Sequence, residues 1–381
     1  MSVHAIANGP DQRPPALDAA GARSARPRLC VVGPLVGHNP GRVTTQGEIL
    51  ADRFAAAGYA LRATSRAASR WARLADIARS LVRWRGDVDV LLVQSYGGPS
   101  FVVEDLATFL GRRFGWRVVL HLRGGAMPEF FARWPRWTRR VLGRADAVVA
   151  PSTFLARAVE PYSAVPARII PNVIDVDAYP FVLRERAAPR LFWMRSFHPI
   201  YNPVMALRVL ARVREAHPDA TLAMGGQDNG MLREVRAEAE RMGLAAHVRF
   251  PGFLDHAAKL REARAADIFI STNRVDNTPV AVIEAAALGL PVVSTDVGGV
   301  SHLIADGETG LLVGSDDDAA MAGAVLRLTS DALLVRRLSA AGRALAERSG
   351  WALVHTEWDR LFAALGFATL GAARPVMEDA G

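Results

Sequence analysis

A chain of 381 residues, half of them apolar, is long for one core and suits two domains. No run approaches the roughly 18 apolar residues of a membrane-spanning helix, and the lone cysteine, Cys30, excludes a disulfide framework. The net charge of +8 is uneven: residues 1–180 carry 24 Arg against 14 acids, whereas residues 181–381 carry 22 basic against 24 acidic groups.

Residues 1–27, rich in Ala, Pro and Arg and without the apolar core of a signal peptide, read as a disordered leader of a cytoplasmic protein. From Arg28 the pattern alternates. RLCVVG is a strand, followed by a Gly and Pro loop and a helix from about Thr44 to Ala57. Apolar strands recur at DVLLVQ, RVVLHL, DAVVAPS and ARIIPN, separated by helical lengths, so residues 28–172 form a Rossmann-like domain with a parallel sheet. Cys30 lies in the first strand and reads as core. The stretch 173–190 has two prolines and no period, which suits a linker. A second alternating set (RLFWMR, ATLAMGG, HVRFPGF, DIFIST, PVVST) makes residues 191–350 another doubly wound α/β domain, and a last helix in 351–381 packs back across the cleft.

The most informative run is PVAVIEAAAL, 279–288, a short helix whose only charged residue is Glu284. A helix with no polar face is buried, with Thr278 as N-cap, Pro279 at the first position and Gly289 as the stop. A carboxylate there needs partners: either a buried Arg in a structural ion pair, or a ligand. Asp276 stands eight residues earlier, so two acids flank a helix N-terminus whose free N–H groups attract anions. Carboxylates suit hydroxyls and N–H groups suit phosphate, and a sugar nucleotide offers both.

Asp276 to Glu284 resembles the E-x7-E element of family 4 retaining glycosyltransferases, and GLPVVSTDVGGVSHLIADGETGLLV continues the likeness, with Asp in place of the first Glu. The resemblance implies a GT-B fold, α/β, with two Rossmann-like doubly wound domains facing a cleft. It also implies transfer from a nucleoside-diphosphate sugar to a glycan or lipid-linked acceptor. It assigns Glu284 to the ribose hydroxyls, Asp276 to the donor-sugar hydroxyls and Arg195, at the end of RLFWMR, to the diphosphate. Arg123 stands where many members have a His against the donor sugar. Gly41, Gly226, Phe253, Leu254, Asn277, Thr278, Pro279 and Val280 would line the donor. The family carries a Lys about six residues after the Arg; here Tyr201 and Asn202 stand in that place. Either Arg195 suffices with a helix N-terminus and the first-domain loop, or another Arg substitutes, or activity is lost. A sugar-nucleotide epimerase of the same fold and a non-catalytic sugar-nucleotide-binding protein are the alternatives.

Other signals carry less. Gly33, Gly37 and Gly41 are four apart, which is not the dinucleotide fingerprint. Asp87 to Asp89 and Asp175 to Asp177 spell D-x-D, but one opens a strand and the other lies in the linker, and the histidines form no H-x-x-x-H pair. No metal and no cofactor beyond the donor substrate is expected. Arg interleaved with Trp71, Trp84, Trp134 and Trp137 makes either a solvated basic face or a surface for an anionic membrane, with the protein peripheral at its inner face. No nucleic-acid module accompanies the charge.

Overall fold

The computed structural model describes residues 26–368 except 38, 40 and 68. Most of the expected leader and the tail beyond 368 lie outside the described residues, although Arg26 donates to the Ala57 carbonyl at 3.1 Å.

Among the described residues, twelve strands form two parallel sheets. The first comprises β1 (Leu29–Val32), β2 (Leu61–Thr64), β3 (Val90–Ser95), β4 (Arg117–Leu122), β5 (Ala147–Ala150) and β6 (Ala167–Ile169), in the order β2-β1-β3-β4-β5-β6. Around it lie α1 (Gln46–Ala56), α2 (Arg70–Arg83), α3 (Phe101–Arg113), α4 (Met127–Arg133), α5 (Pro135–Leu142) and α6 (Thr153–Val159). The second comprises β7 (Arg190–Met194), β8 (Thr221–Gly225), β9 (Val248–Gly252), β10 (Ile268–Ser271), β11 (Val292–Thr295) and β12 (Leu311–Val313), in the order β12-β11-β10-β7-β8-β9. Its helices are α7 (Pro203–Ala216), α8 (Leu232–Arg241), α9 (His256–Ala265), α10 (Val280–Ala287), α11 (Asp318–Ser330) and α12 (Ala332–Glu347). The final helix is α13 (Trp351–Ala364).

The inner strands read as near-continuous apolar runs because helices cover both faces of a parallel sheet. β1 and β10 are buried at every position, and Cys30 sits in that core with its thiol pushed by burial up to about 12. α1 starts where Thr45 and Glu48 cap each other: Thr45 Oγ1 accepts from the Glu48 N–H at 3.3 Å and Glu48 Oε2 accepts from the Thr45 N–H at 2.7 Å. In both sheets the strand order reverses beside the first strand, between β1 and β3 and between β7 and β10. Open α/β sheets bind ligands at such switch points, outside the carboxyl ends of the strands.

α13 follows the second sheet in sequence yet packs on the first. Trp358 and Phe362 are fully buried with Phe54 and Tyr59, and the Tyr59 hydroxyl donates to Asp359 Oδ1 at 2.7 Å.

Candidate functional site

Arg195 immediately follows β7 and Asp276 lies in the loop after β10, so the switch point of the second sheet brings the two together. The guanidinium is ion-paired with Asp276. Asn273 Nδ2 donates to the same carboxylate oxygen at 2.7 Å, and the Asn277 N–H donates to the other at 2.8 Å. Burial alone would lower the pKa of Arg195, but the attraction of Asp276, with further help from Glu284, outweighs it and holds the group above its ordinary value.

The position of the family lysine is filled by Tyr201, whose ring centroid lies 4.2 Å from the Arg195 guanidinium carbon. The Tyr201 carbonyl accepts from Thr272 Oγ1 at 2.8 Å, and that hydroxyl accepts from Trp193 Nε1 at 2.9 Å. Packing around Arg195 tolerates no side chain at Gly226: its φ is +151° and a Cβ would lie 1.9 Å from the Arg195 carbonyl oxygen. Gly298, at φ +58°, is as tightly held, with its would-be Cβ 2.0 Å from the Asp276 carbonyl oxygen.

Glu284 is buried on α10, 7% exposed, as its apolar surroundings require. Both hydrogen bonds given to its side chain reach Oε1: the Tyr179 hydroxyl donates at 2.7 Å and Lys259 Nζ at 2.7 Å. The cationic partner is therefore the only lysine of the chain rather than an arginine. Tyr179 comes from the segment read as a plain linker; burial first, then the Glu284 charge, push its phenol far above the ordinary range. Nothing in the sequence spacing joins Tyr179, Lys259 and Glu284, and the solitary lysine in an arginine-rich chain was the one available signal.

The start of this helix differs from expectation. Pro279, with ψ 110°, is the N-cap, and the helix begins at Val280. Thr278 is then one residue too early to cap, and its buried Oγ1 has no hydrogen-bond partner among the described residues. The same holds for Arg195 Nε and Asn273 Oδ1. Near the end of β9, Leu254 is buried against Gly225 while Phe253 stays 40% exposed.

The opposite wall comes from the first sheet. Arg123 follows β4, with its Nε donating to Gln94 Oε1 at 2.8 Å, Nη1 to Asn172 Oδ1 at 2.5 Å, and Nη2 3.1 Å from His121 Nδ1. His121 is core, and burial together with the Arg123 charge drives its pKa well below 6.5, so the ring is neutral. Asn172 Nδ2 donates to the Thr278 carbonyl at 3.1 Å, and Ser152 Oγ donates to Asn277 Oδ1. These bonds tie the wall to the head of α10 and commit the Asn277 side chain to Ser152. Gly41, at φ +71°, is exposed with no atom within 4 Å of its Cβ position; the loop is held instead at Gly37, whose N–H donates to Glu48 Oε1 at 2.8 Å.

The basic face is only partly what the sequence pattern implied. Trp71 is 81% and Trp134 49% exposed, but Trp84 and Trp137 pack against the first core. Trp137 Nε1 donates to Asp105 at 2.7 Å, and Arg140 and Arg144 are ion-paired with the same carboxylate. The helix period turns Trp137 toward α3, which composition could not reveal.

Among the described residues no group of three His, Cys, Asp or Glu could hold a metal ion. The D-x-D acids Asp87, Asp89 and Asp175 pair with Arg62, Arg28 and Arg53. No helix among the described residues is long and apolar enough to cross a membrane.

Two family models match the chain in sequence order: Glycosyltransferase Family 4 over residues 35–178 and Glycosyl transferases group 1 over residues 181–345. A phosphatidyl-myo-inositol mannosyltransferase of Mycobacterium leprae is 28% identical over 288 residues, covering 74% of this chain and 75% of that protein. Sucrose-phosphate synthase from Thermosynechococcus elongatus aligns with a TM-score of 0.73 at 17% identity, over 90% of this chain and 99% of its own. Anabaena HepE in complex with UDP and glucose aligns with a TM-score of 0.68 at 17% identity, over 89% and 99%. With each half matching its own glycosyltransferase model in the order the two-sheet architecture requires, the chain belongs to the family 4 glycosyltransferases and carries their GT-B fold.

Proposed function

We propose that the protein is a retaining glycosyltransferase that moves a sugar from a nucleoside-diphosphate sugar to a glycan or lipid-linked acceptor, without a metal ion. The observation that carries this reading is the meeting of Arg195, Asp276 and the head of α10 at one switch point, with Glu284 buried behind them.

In this reading the ribose diol binds Glu284, where Oε2 remains free of Tyr179 and Lys259. Asp276 turns from Arg195 to the donor-sugar hydroxyls, and the released guanidinium forks onto the diphosphate. Neutralising charge on the departing diphosphate is the main catalytic contribution, shared between Arg195 and the N–H groups at the start of α10. Thr278 Oγ1, Arg195 Nε and Asn273 Oδ1 are polar atoms that a donor would satisfy. Arg123 approaches the sugar from the opposite wall, and closing of the two walls aligns donor and acceptor.

Support for the donor class comes from HepE, whose structure contains UDP and glucose, and for a lipid-linked acceptor from the name of the mycobacterial relative. Trp71 and Trp134, exposed among arginines, suit peripheral attachment to the inner face of an anionic membrane. Tyr201 in place of a lysine favours a second reading, a sugar-nucleotide-binding protein without turnover. A thermal-shift screen with UDP, GDP, ADP and their sugars, followed by transfer assays in excess EDTA, separates the two. Stabilisation by one nucleotide with EDTA-resistant transfer is expected. Binding without transfer or hydrolysis selects the second reading, and turnover that returns only with Mg²⁺ or Mn²⁺ overturns the metal-free account.

A further inference from the structure

Arg123 is the unbalanced charge of the cleft. Arg195 has Asp276 and Lys259 has Glu284, whereas the three groups that meet the Arg123 guanidinium, Gln94, Asn172 and His121, are all neutral. Among the described residues no carboxylate is ion-paired with it. The buried acids of this domain bond elsewhere: Glu48 accepts from the Gly37 and Thr45 N–H groups, and Glu104, which burial pushes up to about 8, accepts from the Tyr96 N–H and is mostly protonated at neutral pH.

A guanidinium held away from water without a counter-ion is costly, and burial accordingly depresses Arg123 to about 10. Such a group is retained where it meets an anion that comes and goes. Its surroundings are short of acceptors as well. Among the described residues, three contacts leave one N–H on each terminal nitrogen of Arg123, and Gln94 Nε2 is a buried donor without a partner.

The group is also fixed on the cleft side. Its own N–H donates to the Ser95 carbonyl at 2.8 Å, and its Asn172 partner bonds the Thr278 carbonyl. Two residues on, Gly125 lies so near Asp276 that a Cβ would sit 3.0 Å from the Asp276 carbonyl carbon. Resting on the donor-site reading above, we infer that Arg123 is the oxyanion receptor of the first-domain wall, facing the Asp276 and Thr278 end of the donor site. Two parts of a donor carry this chemistry: the diphosphate, for which Arg123 would stand in for the missing lysine, and a carboxylate on the transferred sugar, for which it would select uronosyl donors.

Calorimetry on the full chain distinguishes them, using the nucleoside, its diphosphate, the diphospho-glucose and the diphospho-glucuronate of whichever base stabilises the protein. Arg123→Gln weakens the diphosphate and both sugars tenfold or more, with the nucleoside unchanged, if the diphosphate is the anion. It weakens only the glucuronate if the carboxylate is. Arg123→Lys, which keeps the charge but loses the planar fork, retains part of the affinity and supplies the answer should the Gln variant not fold. Affinities within twofold of wild type for all four ligands, or an equal loss that includes the nucleoside, overturn the inference while leaving the donor site intact. Failure of the wild type to bind any nucleotide overturns the donor site itself and this inference with it.

Discussion

Arg195 and Asp276, 81 positions apart in sequence, are each other's counter-ion at the second switch point. Under the proposed function, diphosphate and carboxylate compete for one guanidinium, and sugar hydroxyls and guanidinium compete for one carboxylate. Asp276→Asn should raise the affinity for a free nucleoside diphosphate about three- to tenfold, since a pair screened by partial exposure is worth on the order of 1 kcal/mol. Turnover should fall at least tenfold, because a neutral amide cannot hold sugar hydroxyls through charge-assisted bonds worth about 1.5–3 kcal/mol. Titration calorimetry and initial rates check both halves. Weaker nucleotide binding in this variant would mean that Asp276 serves to position Arg195.

In the proposed function Glu284 has a double task, and a double variant separates the parts. Glu284→Gln should weaken nucleotide binding by about 1.5–3 kcal/mol, roughly ten- to a hundredfold. It also leaves Lys259 mostly buried without its carboxylate, so stability falls too. Adding Lys259→Met removes that stranded charge. Denaturant midpoints should recover in the double variant while affinity stays low. If affinity recovers together with stability, the glutamate is structural.

The two acids of the proposed donor site stand out in the sequence because each breaks a local rule: Glu284 is the one charge in an apolar helix, and Asp276 sits before that helix. Their partners were not, since Tyr179 and Lys259 reach Glu284 from 105 and 25 positions away, and local periodicity holds no information about such meetings. The strand β2 was hidden for another reason. Its residues LRAT are largely open to solvent on the sheet edge, so they lack the apolar run that marked the inner strands and merged with the basic stretch beside them. Trp71 and Trp137 look alike in sequence, yet one is exposed and the other donates to Asp105.

Glu104 gives the protein a pH dependence of its own. Burial raises it from 4.5 to about 8, against the pull of the Tyr96 N–H that it accepts at 3.0 Å. Below pH 4.5 both folded and unfolded chains hold the proton. As pH rises to about 8 the unfolded chain releases it first, so this contribution to stability declines, then levels off. A tenfold difference in proton affinity between the two states is worth roughly 1.4 kcal/mol, so the whole effect is at most a few kcal/mol. Glu104→Gln keeps an acceptor for Tyr96 and removes the charge. Its urea midpoint should match wild type near pH 5 and exceed it near pH 9; parallel pH profiles would refute the assignment.

Attachment to membranes should depend on the two exposed tryptophans rather than all four. Trp71→Ala with Trp134→Ala should reduce sedimentation with anionic vesicles several-fold, and added salt should weaken the wild type, because each basic group near such a surface contributes about 1 kcal/mol. Trp137→Phe should leave vesicle binding unchanged while loosening α5 from α3, since its indole bonds Asp105. Unaltered vesicle binding in the double variant would make this face a solubilising one.

The return helix α13 does more than close the chain. Trp358 is fully buried, its ring 5.6 Å from Phe54 and 5.3 Å from His121, and His121 in turn contacts Arg123. Trp358→Ala should cost about 3–5 kcal/mol through the cavity it leaves, and Trp358→Phe well under that. The loss should not be confined to stability. With the indole gone, His121 can move and Arg123 loses its brace, so turnover should fall several-fold in protein that is still folded at 15 °C. Affinity for the free nucleoside, held through Glu284 on the other wall in the proposed function, should stay within about twofold, a difference below 0.5 kcal/mol. Urea titration, initial rates and calorimetry on the same preparation check the three statements together. Equal decline of turnover and nucleoside affinity would mean that α13 supports the whole cleft rather than the Arg123 wall.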